Sequence, residues 1–195
     1  LPGDKRSKQL SQKAKDLGFT VILHIPLEPV NMSGHNNPGA SGLYLNMSED
    51  KMRAQFEKNV ANVPGLVGMN NHMGSAFTEN KEMMRRLLTW VKEKDLYFLD
   101  SRTSTGSVVA QVAKKVGVPY LINHTFLDNV DEQGAIEAQL DKVMVLALRY
   151  KRTVAIGHYR RKFLRAALEK KIPEFKEKGI EFVGLSELLK QIGRA

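Results

Sequence analysis

Four of the five histidines close short apolar runs. His24 sits in FTVILHIPLEP, His72 in LVGMNNHMGS, His124 in PYLINHTFLDN and His158 in TVAIGHYRR, and only His35 lies in a polar stretch. Three carboxylates, Glu28, Asp100 and Asp128, stand in or beside the same kind of segment. Neutral imidazole together with carboxylate is the ligand set of Zn²⁺ and similar ions. Such an ion polarises a carbonyl and brings its bound water to a pKa of about 7. Carboxylate and imidazole groups left over from ligation can act as general base and acid. A single His at a strand end is more often a structural hydrogen-bonder. Four at strand ends, with carboxylates alongside, shift the expectation to a metal-assisted hydrolytic site. Asn71, Ser101, Arg102 and Asp128 lie in the same strand-end segments and are the expected substrate-binding groups.

Other chemistries are thinly represented. The chain has no Cys, which excludes disulfides, thiolate metal sites and a cysteine nucleophile. It contains no GxSxG, no P-loop and no GxGxxG opening a helix. The run Gly157-His158-Tyr159-Arg160-Arg161 could meet a phosphate, but a short basic run is a weak signal.

The elements that position these residues can be read from periodicity. Six apolar runs read as strands: 19–25, 66–70, 96–100, 119–122, 153–156 and 180–183. Helical spacing of apolar residues covers 8–17, 49–59, 80–94, 107–116, 134–151 and 160–178. The clearest case is Met83, Met84, Leu87, Leu88 and Val91, which reads as core filling. Gly117 and Gly179 follow helices as left-handed caps would, and Ser48 stands where an N-cap would, ahead of Glu49 and Asp50. Strands alternating with helices predict a parallel sheet covered by helices, with function at the C-terminal strand ends. The polar segment 29–46 reads as a functional loop or a disordered one.

Length and composition place these elements in one domain spanning residues 1–195. The chain is 42% hydrophobic and 26% charged, as ordinary globular proteins are. Its longest apolar run, near Val143–Leu148, is far shorter than a membrane span. The formal charge is +9, which invites anionic partners. Between Arg149 and Lys178 there are eleven Lys or Arg and three acids; a solvated helix face is the simplest account. Nucleic acid is not the expected partner, because the sequence lacks the aromatic-basic interleaving of a stacking platform. The chain opens on Leu1-Pro2 rather than Met, which reads as a processed, truncated or partly ordered start.

The segments HIPLEP (24–29), GMNNHMGS (68–75), FLDSRTS (98–104), FLDN (126–129) and AIGH (155–158) resemble the divergent polysaccharide deacetylase family over residues 1–189. This family is similar to the metal-dependent carbohydrate deacetylases. The resemblance implies a distorted (β/α) barrel with mostly parallel strands, whose first strand is absent from this sequence. It also implies a hydrolase, secreted or in the cell envelope, that removes acetyl groups from a carbohydrate using a divalent metal, typically Zn²⁺. In the related pattern a first strand carries an Asp pair and a later His-x-x-x-His supplies two ligands. Here His24-x-x-x-Glu28 falls at that position, so the resemblance makes His24 a ligand. Glu28 could still ligate, and His72 could supply the missing imidazole. Asp100 resembles the carboxylate that tunes a catalytic His, and His158 resembles that His. His124 has no counterpart in the pattern and is expected to be a local feature. Tyr159 follows AIGH where Pro is usual. The absent Asp pair and the altered His-x-x-x-Glu together favour the alternative, an inactive glycan-binding or scaffold protein on the same fold. The basic charge would suit contact with an anionic cell-envelope polymer.

Overall fold

The computed structural model describes residues 1–34 and 36–193, so His35 lies outside the described residues. The chain divides into two compact units. The first comprises residues 1–121 together with the segment that begins at Leu185. It is built on a sheet in the order β1 (Ile22–Leu27), β2 (Gly68–Met73), β3 (Tyr97–Asp100) and β4 (Tyr120–Ile122). The pairs β1–β2 and β2–β3 are parallel. Helices α1 (Ser7–Asp16), α2 (Glu49–Ala61), α3 (Ser75–Glu79), α4 (Lys81–Glu93), α5 (Val109–Val116) and α8 (Leu185–Gly193) complete the unit. The second unit, residues 122–184, holds β5 (Thr125–Phe126) and β6 (Ala155–Ile156), paired in parallel, with α6 (Gln133–Tyr150) and α7 (Leu164–Glu177).

The parallel α/β architecture follows from the residue patterns. Leu23, Ile25 and Leu27 alternate along β1 and are fully buried, with Met69, Phe98, Phe56, Trp90, Leu87 and Leu88 in the same core. Burying each such side chain contributes about 1.5–3 kcal/mol. In α4 the apolar stripe Met84, Leu87, Leu88 and Val91 is buried, as its spacing predicts, and Trp90 joins it. Asn80 caps this helix by accepting the backbone N–H groups of Glu82 and Met83. Gly117 adopts the left-handed cap expected of it (φ 80°). Ser48 occupies the N-cap position of α2, although its side chain makes no capping hydrogen bond. The second unit has its own core of Leu127, Ile136, Leu140, Val143, Met144, Leu164 and Phe175.

Four local differences from the sequence expectation have physical causes. Strand β1 starts at Ile22 rather than Phe19, because Phe19 N–H still bonds Ala14 O at the end of α1. Residues 180–183 form no strand: Ile180 N–H closes the end of α7 on Phe175 O, and the Phe182 ring leans on Phe175 at 5.1 Å. Helix α7 begins at Leu164 rather than Arg160, because residues 158–163 form a turn held by Asp131. Among the described residues, segment 29–46 has neither helix nor strand, yet it is anchored. Leu43 is fully buried and bridges Leu27, and Ser41 O accepts the Asn59 amide.

At the start of α4, Glu82 accepts hydrogen bonds from Arg85 and Arg86, which hold its carboxyl down to about 2. A depressed carboxylate contributes stability above its unfolded value near 4.5 and loses it as pH falls toward 2. Wild type and Glu82→Gln are therefore expected to differ in denaturation midpoint at pH 6 and to converge near pH 2. A difference that persists unchanged at pH 2 overturns this account.

Candidate active site

The parallel register of β1 and β2 builds the first cluster. His24 pairs with Asn70 and Pro26 with His72. Side chains alternate with period two, so His24, Asn70 and His72 share one face of the sheet while Leu23, Ile25 and Leu27 face the helices. Ser101, two residues past Leu99, which pairs with Asn70, follows the same alternation.

A directional hydrogen-bond chain then fixes the His24 tautomer. Ser101 Oγ donates to Asn71 O at 2.8 Å, a carbonyl that can only accept. The Ser101 oxygen therefore accepts from Asn70 Nδ2 at 3.0 Å. That turns Asn70 Oδ1 toward His24 Nδ1, 3.0 Å away, so Nδ1 carries the proton. His24 Nε2 is then the acceptor of a hydrogen bond from His72 Nδ1–H, 3.0 Å away, and the two rings meet edge to face at 4.8 Å. Two nitrogens on one tetrahedral zinc stand about 3.3 Å apart at Zn–N distances near 2.05 Å. The donor type and the spacing match two positions of such a sphere, which the pair would fill only with the His72 proton moved from Nδ1 to Nε2. Among the described residues no group of three or more His, Cys, Asp or Glu is placed to hold a metal. The fit is therefore to a two-imidazole half-site.

Glu28 is not brought to this pair. Along an extended chain four residues span roughly 13 Å, and His24 lies in β1 while Glu28 stands just beyond its end. Its Oε2 instead accepts Leu45 N–H at 2.6 Å, which fastens the 29–46 segment.

The second cluster lies in the other unit. Thr125 pairs with Ala155 and Phe126 with Ile156, so Asp128 and His158 stand two residues past matched positions. Asp128, 0% exposed, accepts both His158 N–H and His158 Nδ1–H, the latter at 2.9 Å. The imidazole is 55% exposed and lies parallel to the Phe126 ring at 6.4 Å. A buried carboxylate on Nδ1 fixes the tautomer and leaves Nε2 as the nitrogen that Asp128 does not hold. This is the orienting half of a catalytic triad.

These contacts revise several expected roles. The carboxylate on His158 is Asp128, not Asp100. Asp100 is buried and accepts Arg102 N–H (2.8 Å) and Ser107 Oγ–H (2.7 Å), which shapes the turn after β3. Asp128, fully buried with both oxygens engaged, is no substrate-binding group. Asn71, 1% exposed, is structural too: its Oδ1 accepts Ser101 N–H and its Nδ2 donates to Met73 O. Ser101 is buried between Asn70 and Asn71. Arg102 is exposed, with its backbone in the left-handed region (φ 53°). The His124 Nδ1 accepts Val154 N–H at 3.1 Å, and its backbone N–H bonds Val154 O. The sequence reading passed over Asn70, although its place two residues before His72 puts it on the same strand face.

The chain is similar to curated proteins in sequence and to a solved structure in fold. It is 35% identical over 190 residues to an uncharacterized protein of Haemophilus influenzae, covering 96% of this chain and 65% of that one. It is 32% identical over 158 residues to the uncharacterized protein YibQ of Escherichia coli, covering 81% of this chain and 49% of that one. It thus spans less than two thirds of either relative. The crystal structure of an uncharacterized protein from Agrobacterium tumefaciens superposes with a TM-score of 0.88 at 24% identity, covering 96% of this chain and 75% of that one, which shows a shared α/β fold. Residues 1–189 match the model of the divergent polysaccharide deacetylases, and the chain belongs to that family.

Proposed function

We propose that the protein is a metal-dependent hydrolase that removes acetyl groups from a carbohydrate, on a distorted (β/α) barrel. The observation that carries this reading is the His24–His72 pair, with Asn70 holding the ligand tautomer of His24. His24 and His72 would hold a divalent ion of the Zn²⁺ class. When bound, that ion supplies Lewis acidity and an acidified water. The chain's own residues do the rest. Asn70 keeps the His24 Nδ1 proton in place and the Nε2 lone pair available. Asp128 holds the His158 proton at Nδ1, so that Nε2 is the nitrogen of this ring suited to proton transfer. Arg102 is assigned to substrate binding. The carbohydrate is the partner, and secretion or the cell envelope is the assigned location. No helix among the described residues is long and apolar enough to cross a membrane.

Metal analysis of the purified chain is expected to find about one Zn²⁺-class ion per molecule. His24→Ala and His72→Ala should each bind the ion at least tenfold more weakly. Full metal occupancy in both variants overturns the site assignment. The two-imidazole half-site favours a second reading, a glycan-binding protein without turnover. Binding of an acetylated oligosaccharide with no acetate release, in metal-loaded protein, selects that reading.

A further inference from the structure

The reading above uses only His158 from the segment Gly157–Phe163. The rest of the segment is a built feature of its own. Its backbone is clamped at both ends by carboxylates. Asp128 takes His158 N–H, and Asp131 takes Lys162 N–H (3.1 Å) and Phe163 N–H (3.3 Å). Between them Arg161 N–H closes a turn on His158 O at 2.9 Å. These anchoring bonds are all made by backbone N–H groups.

Those side chains are one aromatic ring and three cations. Tyr159 is 84% exposed, which is unusual for a tyrosine. The Arg160 guanidinium lies 5.5 Å over its ring and its Nε donates to the Tyr159 hydroxyl at 2.9 Å, which steadies the ring. Arg161 and Lys162 are exposed. The cations nearby on α7 are neutralised: Arg165 pairs with Glu169, Lys170 with Glu137, and Lys171 with Asp141 and Glu174. No acidic residue occurs in 157–163. Arg160, Arg161 and Lys162 thus stand together on a fixed turn that adjoins His158, with the Asp128 and Asp131 carboxylates bound to its backbone.

An exposed ring beside guanidinium and ammonium groups is the chemistry that holds a sugar carrying a negative charge. The ring takes the apolar face of the pyranose, and the cations take a carboxylate or phosphate. We infer that Tyr159–Lys162 form a subsite for an acidic sugar residue of the glycan. Its place beside the reacting bond rests on the role proposed for His158; its affinity for acidic sugars does not.

The test is a binding titration of the whole chain with hexagalacturonate, phosphorylated maltohexaose and neutral maltohexaose at several salt concentrations. Wild type is expected to bind at least one acidic hexasaccharide at least tenfold more tightly than the neutral one. Arg161→Gln/Lys162→Gln should lose about tenfold of that affinity and lower the slope of log K against log salt by roughly 1. Lys176→Gln/Lys178→Gln removes the same charge elsewhere on the unit and should bind as wild type does. Which acidic ligand binds decides between carboxylate and phosphate. Equal binding of acidic and neutral ligands overturns the inference, as does equal loss in both double variants. Acetate release is measured separately. If it is absent while the Arg161/Lys162 effect holds, the deacetylase reading fails and the acidic-sugar subsite stands.

Discussion

Asp128→Asn is expected to lower turnover on an acetylated oligosaccharide by about 10³-fold or more while leaving the fold intact. The size of the effect follows from donor and acceptor bookkeeping. Asp128 presents two acceptors, one to the backbone N–H of His158 and one to Nδ1–H. An asparagine presents one acceptor and one donor. The backbone N–H cannot reverse its role, so it keeps the amide oxygen, and the amide NH₂ must face Nδ1. Nδ1 then becomes an acceptor, the proton moves to Nε2, and the imidazolium loses its counter-charge. The side chain is fully buried and the replacement is nearly isosteric, so packing changes little. Nitrogen chemical shifts of the imidazole supply a readout that does not depend on turnover: wild type is expected to show the Nδ1–H form and the variant the Nε2–H form. Unchanged turnover removes His158 from the mechanism, and an unchanged tautomer removes Asp128 as its orienting group.

Asn71→Ala should cost about 2–4 kcal/mol of stability, a fall in melting temperature of roughly 5–12 °C for a chain of this size. Asn71 Oδ1 takes Ser101 N–H at 2.8 Å, and Nδ2 reaches Met73 O at 2.7 Å and Thr103 Oγ1 at 3.3 Å. These bonds tie the end of β2 to the turn after β3. The chain turns sharply there, with Met73 at φ 55° and Gly74 at φ 87°, and a Cβ on Gly74 would stand 2.7 Å from Leu27 Cβ. Removing the amide strands a buried N–H with no route to water, which costs more than the net value of the bond itself. A variant of wild-type stability with a raised KM would return Asn71 to the substrate, and the denaturation midpoint decides the matter.

The apolar runs made the sheet legible. Ile22–Leu27 carries buried Leu23, Ile25 and Leu27 at alternate positions, and Tyr97–Asp100 opens on the buried run Tyr-Phe-Leu; short apolar runs of this kind read as strands. Helix α4 was legible for a similar reason, since its apolar residues recur at the helical period. Short elements were harder to read. The five residues of α3 are too few to show a period, and the two-residue strands β5 and β6 depend on each other for their hydrogen bonds.

At the candidate site, the sequence marked histidines and carboxylates at strand ends, with the family motifs around them. It did not determine which of them meet. His24-x-x-x-Glu28 looks like a ligand pair only if the chain brings the two residues together, and an extended strand sets them far apart. Asp100 and Asp128 occupy equivalent strand ends, and only the β5–β6 register puts Asp128 under His158. His24 finds His72 because β1 and β2 pair with Pro26 opposite His72, placing the two rings diagonally on one face. The sequence by itself therefore determined the family, the α/β class and the chemical inventory, because these rest on local composition and period. Only the tertiary structure decided the partners, because register and face are set by hydrogen bonds between strands distant in the chain.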